Sequence, residues 1–259
     1  MTDEVVEFRI DGPVATITIN RPERRNAINP EVTRKLSDSL ARAEADDSVV
    51  AVVLTGAGNG AFCAGGDLGA MNSEGAVAQH IMRAGVGELF EQMRKSRLPI
   101  VARVNGHALA GGFGLMLACD LVVAQDDAAM GTPEIDIGLW PFMITAVLQR
   151  DLPRKFALEL MLTGKRISAA EGERWGFVNR LVGPDQLDNA VAELTESLAS
   201  KSQLITALGK RSFYRAEDMN FDESLDYLAG MFSVCLQSED TAEGVSAWLQ
   251  KRAPEWKGR

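Results

Sequence analysis

The sequence predicts an α/β core with parallel strands joined by crossover connections, followed by a helical C-terminal section. Three observations carry that prediction. Apolar runs of strand length alternate with segments of helical periodicity through the first half of the chain. The run 49–56, VVAVVLTG, is apolar without a break, as suits a strand covered on both faces. Beyond residue 185 the helical pattern continues without intervening strands.

The elements follow in order. Val5 to Ile10 and Val14 to Ile19 read as two strands joined by an Asp11-Gly12-Pro13 turn. Asn29 and Pro30 supply an N-cap and a first-turn proline, and Val32, Leu36, Leu40 and Ala43 then recur at helical spacing. After the 49–56 strand, the glycine-rich AGNGAFCAGGDL reads as irregular. Residues 76–96 read as a helix, with Val77, Ile81, Met82, Leu89, Phe90 and Met93 on its apolar side. Pro99 to Val104 and Leu121 to Ala124 are further strands, with GHALAGGFG (106–114) as a turn between strand and helix. Past Pro141 come a helix over Arg154 to Thr163 and a short helix capped by Ser168 and stopped at Gly176. The strand FVNRLV and three or four amphipathic helices over 185–251 complete the chain. The expected division is a core over 1–195 and a helical region over 196–259.

Composition narrows the function classes. With 259 residues, 46% hydrophobic and 24% charged, the chain can bury a substantial core, so disorder is excluded. A net charge of −9 without a basic cluster argues against nucleic acid as a partner. Cys63, Cys119 and Cys235 stand far apart, which fits a reducing compartment and neither a disulfide framework nor a zinc ribbon. The N-terminus lacks the features of a secretory signal, and LMLACDLVVA is too short to span a bilayer and carries Asp120. A cytoplasmic protein without a membrane association is expected.

Two glycine loops are the candidate site. Neither a P-loop nor a dinucleotide fingerprint fits GHALAGGFG, which lacks the lysine of the first and the third glycine of the second. The loops FCAGGDL (62–68) and HALAGGFG (107–114) each follow a strand and lead towards helix. Glycine lets a ligand approach the backbone, and two N–H groups converging from two loops make an oxyanion hole. The residues alone leave open whether both are only tight packing turns.

The motifs NRPERRNAIN, AFCAGGDL, PIVARVNGHALAGGFGLMLACDLVVA, GTPEIDIGL, LTGKRISAAEGERWGFVNRLV and EGVSAWLQKR resemble those of the enoyl-CoA hydratase/isomerase (crotonase) superfamily, in family order over nearly the whole chain. The resemblance implies a ββα spiral core with C-terminal helices that build a homo-trimer or hexamer. It also implies an acyl-CoA thioester as substrate, an enolate as intermediate and no cofactor beyond the substrate's own coenzyme A. Carried over by motif, the backbone N–H groups of Gly66 and Gly111 are the oxyanion donors and Glu134 is the acid/base. Arg25, Asn26, Ala27, Ala64 and Leu68 are placed along the CoA, with Trp248 and Lys251 serving a neighbouring subunit's CoA. Where hydratases of the family carry their first glutamate, this chain has Gly114. Phe142-Met143-Ile144 replaces a glycine-rich turn, and this bulk is expected to reshape the pocket floor around the acyl chain, with Phe142 as a substrate-binding residue. The dienoyl-CoA isomerases' aspartates, at positions 114 and 142, are also missing.

One carboxylate suffices for a 1,3-proton shift but is poorly equipped to orient and deprotonate water, so 3-enoyl to 2-enoyl-CoA isomerisation is the leading expectation. The alternatives are 2-enoyl-CoA hydration, another reaction of the superfamily such as decarboxylation or thioester hydrolysis, and a catalytically weak acyl-CoA- or RNA-binding protein. Asp136 is expected in an extended segment on the same face as Glu134, His107 in packing or hydrogen bonding, and His80 on a helix surface. Asp67 and Asp120 are expected to brace the two loops. No His/Cys/Asp cluster has metal-ligand spacing, so no metal is expected.

Overall fold

The structure, a computed structural model, describes residues 4–69 and 76–259, and of residues 76–83 the backbone only. Two sheets organise it. The larger contains β1 (Val6–Asp11), β2 (Val14–Ile19), β3 (Ala51–Gly56), β5 (Ile100–Val104), β7 (Leu121–Gln125) and β10 (Arg180–Val182), in that order across the sheet. The β1–β2 hairpin is antiparallel, and every later pairing is parallel. The smaller sheet contains β4 (Ala61–Cys63), β6 (His107–Leu109), β8 (Ala129–Gly131) and β9 (Arg166–Ser168). Each turn of the chain thus gives one strand to each sheet, β3 then β4, β5 then β6, β7 then β8. Helices α2 (Ala76–Lys95) and α3 (Gly111–Leu117) carry the chain from one such pair to the next. This is the ββα spiral that the resemblance implies.

The continuous apolar strands are explained by burial on both faces. Val52, Leu54, Ile100, Ala102, Val122 and Ala124 point into the main core, under α1 (Pro30–Glu44) and α2 among other elements. Val53, Val101 and Val123, one residue out of phase, point to the other face, where Leu187, Ala190 and Val191 of α7 (Leu187–Ala199) cover them. The start of α1 is as expected: Asn29 Oδ1 accepts from Val32 N at 2.8 Å and Pro30 occupies the first turn. Val32, Leu36, Leu40 and Ala43 are all buried. Of the apolar positions expected along α2, Leu89, Phe90 and Met93 are buried, while the side chains of Val77, Ile81 and Met82, and that of His80 expected on the helix surface, lie outside the described residues.

Several local expectations are corrected. The glycine-rich 57–68 segment is not wholly irregular, because Ala61–Cys63 form β4. The glycine stretch is no simple turn: β6 occupies His107–Leu109 and the helix begins at Gly111, so Gly112 and Gly114 lie inside α3. Strands of three residues have no readable period, and close packing here overrides the poor helix propensity of glycine. Between them, α4 (Phe142–Asp151), α5 (Arg154–Thr163) and α6 (Ala169–Trp175) cover the second half of the core. Ser168 and Glu171 form a complete capping box for α6, and Gly176 ends it in the left-handed conformation. The division expected at 195/196 falls inside α7, a continuous helix. Helices α8 (Gln203–Glu217), α9 (Phe221–Leu236) and α10 (Glu239–Gln250) complete the chain. Among the described residues, no helix is long and apolar enough to cross a membrane.

Candidate active site

Three neighbouring parallel strands of the small sheet converge on one place. β4 pairs with β6 and β6 with β8, all in the same direction. Gly66 lies three residues past the end of β4, Gly111 two past β6 and Glu134 three past β8. All three therefore emerge at the carboxyl ends of adjacent strands, where open α/β sheets bind their ligands.

The two loops touch. The first turn of α3 presses on the end of β4 so closely that a Cβ on Gly112 would stand 2.1 Å from the Cys63 carbonyl oxygen. Only glycine allows that approach. A Cβ on Gly111 would stand 3.7 Å from the Gly66 nitrogen, so the two loops lie side by side at these residues. Neither N–H group is used by the bridge or helix it belongs to. Gly66 forms a parallel bridge with Ile28 in which its neighbours do the bonding: Ile28 N donates to Gly65 O at 2.7 Å and Asp67 N donates to Ile28 O at 2.8 Å. The Gly66 N–H accordingly points away from that bridge. Gly111 opens α3, where a first-turn N–H has no partner within the helix. The preceding Ala110 holds φ 52° and ψ −130°, a conformation costly for a residue with a Cβ, and its N–H is tied to Gly131 O at 2.9 Å.

Glu134 sits in a short 3-10 turn, Pro133–Ile137, closed by Gly138 in the left-handed conformation. It is partly buried, and its Oε2 is buried without a hydrogen-bond partner among the described residues. Burial disfavours the charged form and raises its pKa above the ordinary carboxylate value, with a lesser opposing effect from its own backbone. Asp136 corrects an expectation. The segment is a 3-10 turn and not extended, so residues two apart point about 120° away from each other, and Asp136 is exposed beside Gly164.

The position of the missing glutamate is filled. A Cβ on Gly114 would stand 2.1 Å from Ile144 Cγ2 and 2.5 Å from Ile144 Cβ. Ile144, buried in the first turn of α4, therefore occupies the space a side chain at 114 needs. Of the bulky triplet, Phe142 is 77% exposed and Met143 reaches towards Gly87 of α2, so Ile144 is the member that meets α3. The bulk of the triplet is evident in the sequence, but nothing local links position 144 to position 114.

The remaining expected residues divide into two groups. Arg25, Asn26 and Ala27 lie against the first loop: Arg25 O accepts from Ala64 N at 3.0 Å, and both Arg25 and Asn26 adopt positive φ. The Asn26 side chain is fully engaged in bracing, donating to Ala57 O and Ala61 O and accepting from Arg21 N. Leu68 is exposed beyond the loop. Trp248 and Lys251 are not brought to the loops within one chain: α10 packs against α8 and α9, Trp248 is 79% exposed, and Lys251 caps α10 in the left-handed conformation. His107 Nδ1 accepts from Ala129 N at 3.1 Å, a brace between β6 and β8. Asp67 pairs with Arg21 at 2.9 Å. Asp120 accepts from Ile100 N, Lys210 Nζ and Tyr214 Oη, and so anchors α8 to the core. Cys63 and Cys119 are buried, and burial pushes the Cys63 thiol up to about 12, so neither is a nucleophile at neutral pH.

A family profile described as enoyl-CoA hydratase/isomerase matches residues 9–259. The chain belongs to the enoyl-CoA hydratase/isomerase family. It is 32% identical to a short-chain-enoyl-CoA hydratase of Clostridium acetobutylicum, with 95% of this chain and 94% of the relative covered. It is 35% identical to a probable enoyl-CoA hydratase of Rhizobium meliloti over the full length of both. A crystal structure of enoyl-CoA hydratase from Mycobacterium smegmatis superposes with a TM-score of 0.94 at 32% identity, covering 98% of this chain and 99% of that one.

Proposed function

We propose that this member of the family isomerises 3-enoyl-CoA to 2-enoyl-CoA through an enolate held by the Gly66 and Gly111 N–H groups. Glu134 acts as the single acid/base. The carrying observation is that Gly66, Gly111 and the partly buried Glu134, whose Oε2 has no hydrogen-bond partner among the described residues, lie just past the carboxyl ends of three adjacent strands.

The chemistry balances without water. Glu134 removes a proton from C2, the C–H electron pair moves towards the thioester carbonyl, and negative charge collects on its oxygen between the two N–H groups. Return of that proton to C4 leaves the double bond between C2 and C3. Hydration would instead require a water both oriented and deprotonated. Ile144 takes the space where a second carboxylate would enter, which favours the proton shift over water addition. The second reading, 2-enoyl-CoA hydration, is favoured by the names of the relatives.

The experiment is to incubate the protein separately with 3-enoyl-CoA and 2-enoyl-CoA and follow the conjugated-thioester absorbance. A rise with the first substrate supports isomerisation, a fall with the second supports hydration, and no change with either contradicts both. Gly111→Ala extends the test. Among the described residues its methyl meets no atom of another segment closer than 3.7 Å, so the fold tolerates it, yet it intrudes beside the Gly66 donor. Turnover in that variant should fall on the order of 10²–10³-fold with an unchanged melting temperature.

The exposed apolar side chains of α9 and α10, among them Phe221, Phe232, Trp248 and Leu249, support the trimer or hexamer that the resemblance implies. The molar mass from light scattering reads that state.

A further inference from the structure

The Gly66 donor is only as well aimed as the loop that carries it, and one side chain grips both sides of that loop's anchor. Arg21 Nη1 donates to Ala27 O at 2.7 Å, and Arg21 Nη2 donates to Asp67 Oδ2 at 2.9 Å. Ala27 and Asp67 are the immediate neighbours of Ile28 and Gly66, the two residues of the parallel bridge. The guanidinium therefore spans the bridge beside the donor. Its own backbone is fixed in turn, since Arg21 N donates to Asn26 Oδ1 at 3.0 Å and Asn26 N donates to Arg21 O at 2.9 Å. The pair is largely withdrawn from water, with the Arg21 and Asp67 side chains 13% and 16% exposed. A planar fork that satisfies a carbonyl and a carboxylate at once is a geometry lysine cannot reproduce.

We propose that Arg21 is a positioning residue for catalysis: its fork holds residues 27 and 67 in register, so that the Gly66 N–H is aimed at the developing oxyanion. This rests on the assignment of Gly66 as an oxyanion donor. A displacement of about 1 Å in such a donor can cost on the order of 10²-fold in rate.

The test compares wild type, Arg21→Met, Arg21→Lys and Asp67→Asn. Three quantities are read: kcat and KM with 3-enoyl-CoA, the dissociation constant of butyryl-CoA, and the enolate absorbance of bound acetoacetyl-CoA. Butyryl-CoA reports binding without developed charge. Acetoacetyl-CoA loses its α-proton to a base, and the electron pair comes to rest on oxygen, so its enolate fraction reports the donors directly. Arg21→Met should lower kcat on the order of 10²-fold and depress the enolate absorbance, with KM and butyryl-CoA affinity within a few-fold of wild type. Arg21→Lys and Asp67→Asn should fall in between.

Wild-type enolate absorbance and kcat in Arg21→Met would overturn the proposal. So would a parallel loss of butyryl-CoA affinity and enolate in all three variants, which marks a general structural role. If wild type itself fails to stabilise the enolate, the oxyanion assignment has failed, a result distinct from either of these.

Discussion

Glu134→Gln is expected to reduce turnover on the order of 10²–10⁴-fold while making the folded protein more stable at neutral pH. The rate loss follows from removing the proposed acid/base that takes and returns the proton. The stability gain follows from burial. The surroundings of Glu134 disfavour its charge, so its pKa is higher folded than unfolded. The folded state is favoured while the group is protonated, and that contribution is lost as pH rises through the raised folded value. At neutral pH the wild type carries the cost of a buried carboxylate with an unpartnered oxygen, whereas glutamine is neutral at every pH. Thermal melts of the two proteins should differ most at neutral pH and converge in acid. The activity profile has a linked signature: kcat/KM of the wild type should fall on the acid side as Glu134 gains its proton, around a pKa above the ordinary carboxylate value. A variant with unchanged turnover would remove Glu134 from the reaction.

Gly114→Ala is expected to destabilise the fold by about 1–3 kcal/mol, the usual range for overpacking a filled core. A methyl at 114 has nowhere to go, because both Cγ2 and Cβ of Ile144 lie within 2.5 Å of its position. Ile144→Gly removes both atoms and leaves the new methyl 3.5 Å from the Ile144 Cα, an ordinary contact. Ile144→Gly is itself destabilising, so the informative quantity is the coupling in a double-mutant cycle. Denaturant titrations should show Gly114→Ala costing much less in the Ile144→Gly background. If the two changes add without coupling, α4 does not close off position 114. The same pair bears on the reaction. Gly114→Glu together with Ile144→Gly offers a second carboxylate a place to stand, and should raise the ratio of hydration to isomerisation.

Much of this site was legible in the sequence where local chemistry dictates local structure. The Asn29-Pro30 start of α1, the Ser168 cap of α6 and the unbroken apolar run of β3 each carry their cause within a few residues. The two glycine loops were legible as close-approach sites, and the resemblance singled out Gly66, Gly111 and Glu134. What lay hidden depends on long-range packing. The strands β4, β6 and β8 are three residues each and have no period, yet their parallel order is what gathers the site. The start of α3 at Gly111 runs against helix propensity, and is imposed by the contact of Gly112 with Cys63. The 3-10 turn that sends Asp136 away from Glu134, and the entry of Ile144 into the space beside Gly114, join positions that no spacing rule connects.

The measurement that most directly tests a single-carboxylate proton shift is turnover of 3-enoyl-CoA in deuterated water, with the products resolved by mass. The expected product is 2-enoyl-CoA, much of which retains the proton taken from C2, because the partly buried Glu134 carboxylate moves it to C4. Little 3-hydroxyacyl-CoA should accompany it. Fast and predominant formation of 3-hydroxyacyl-CoA from 2-enoyl-CoA, with no conversion of 3-enoyl-CoA, would contradict it.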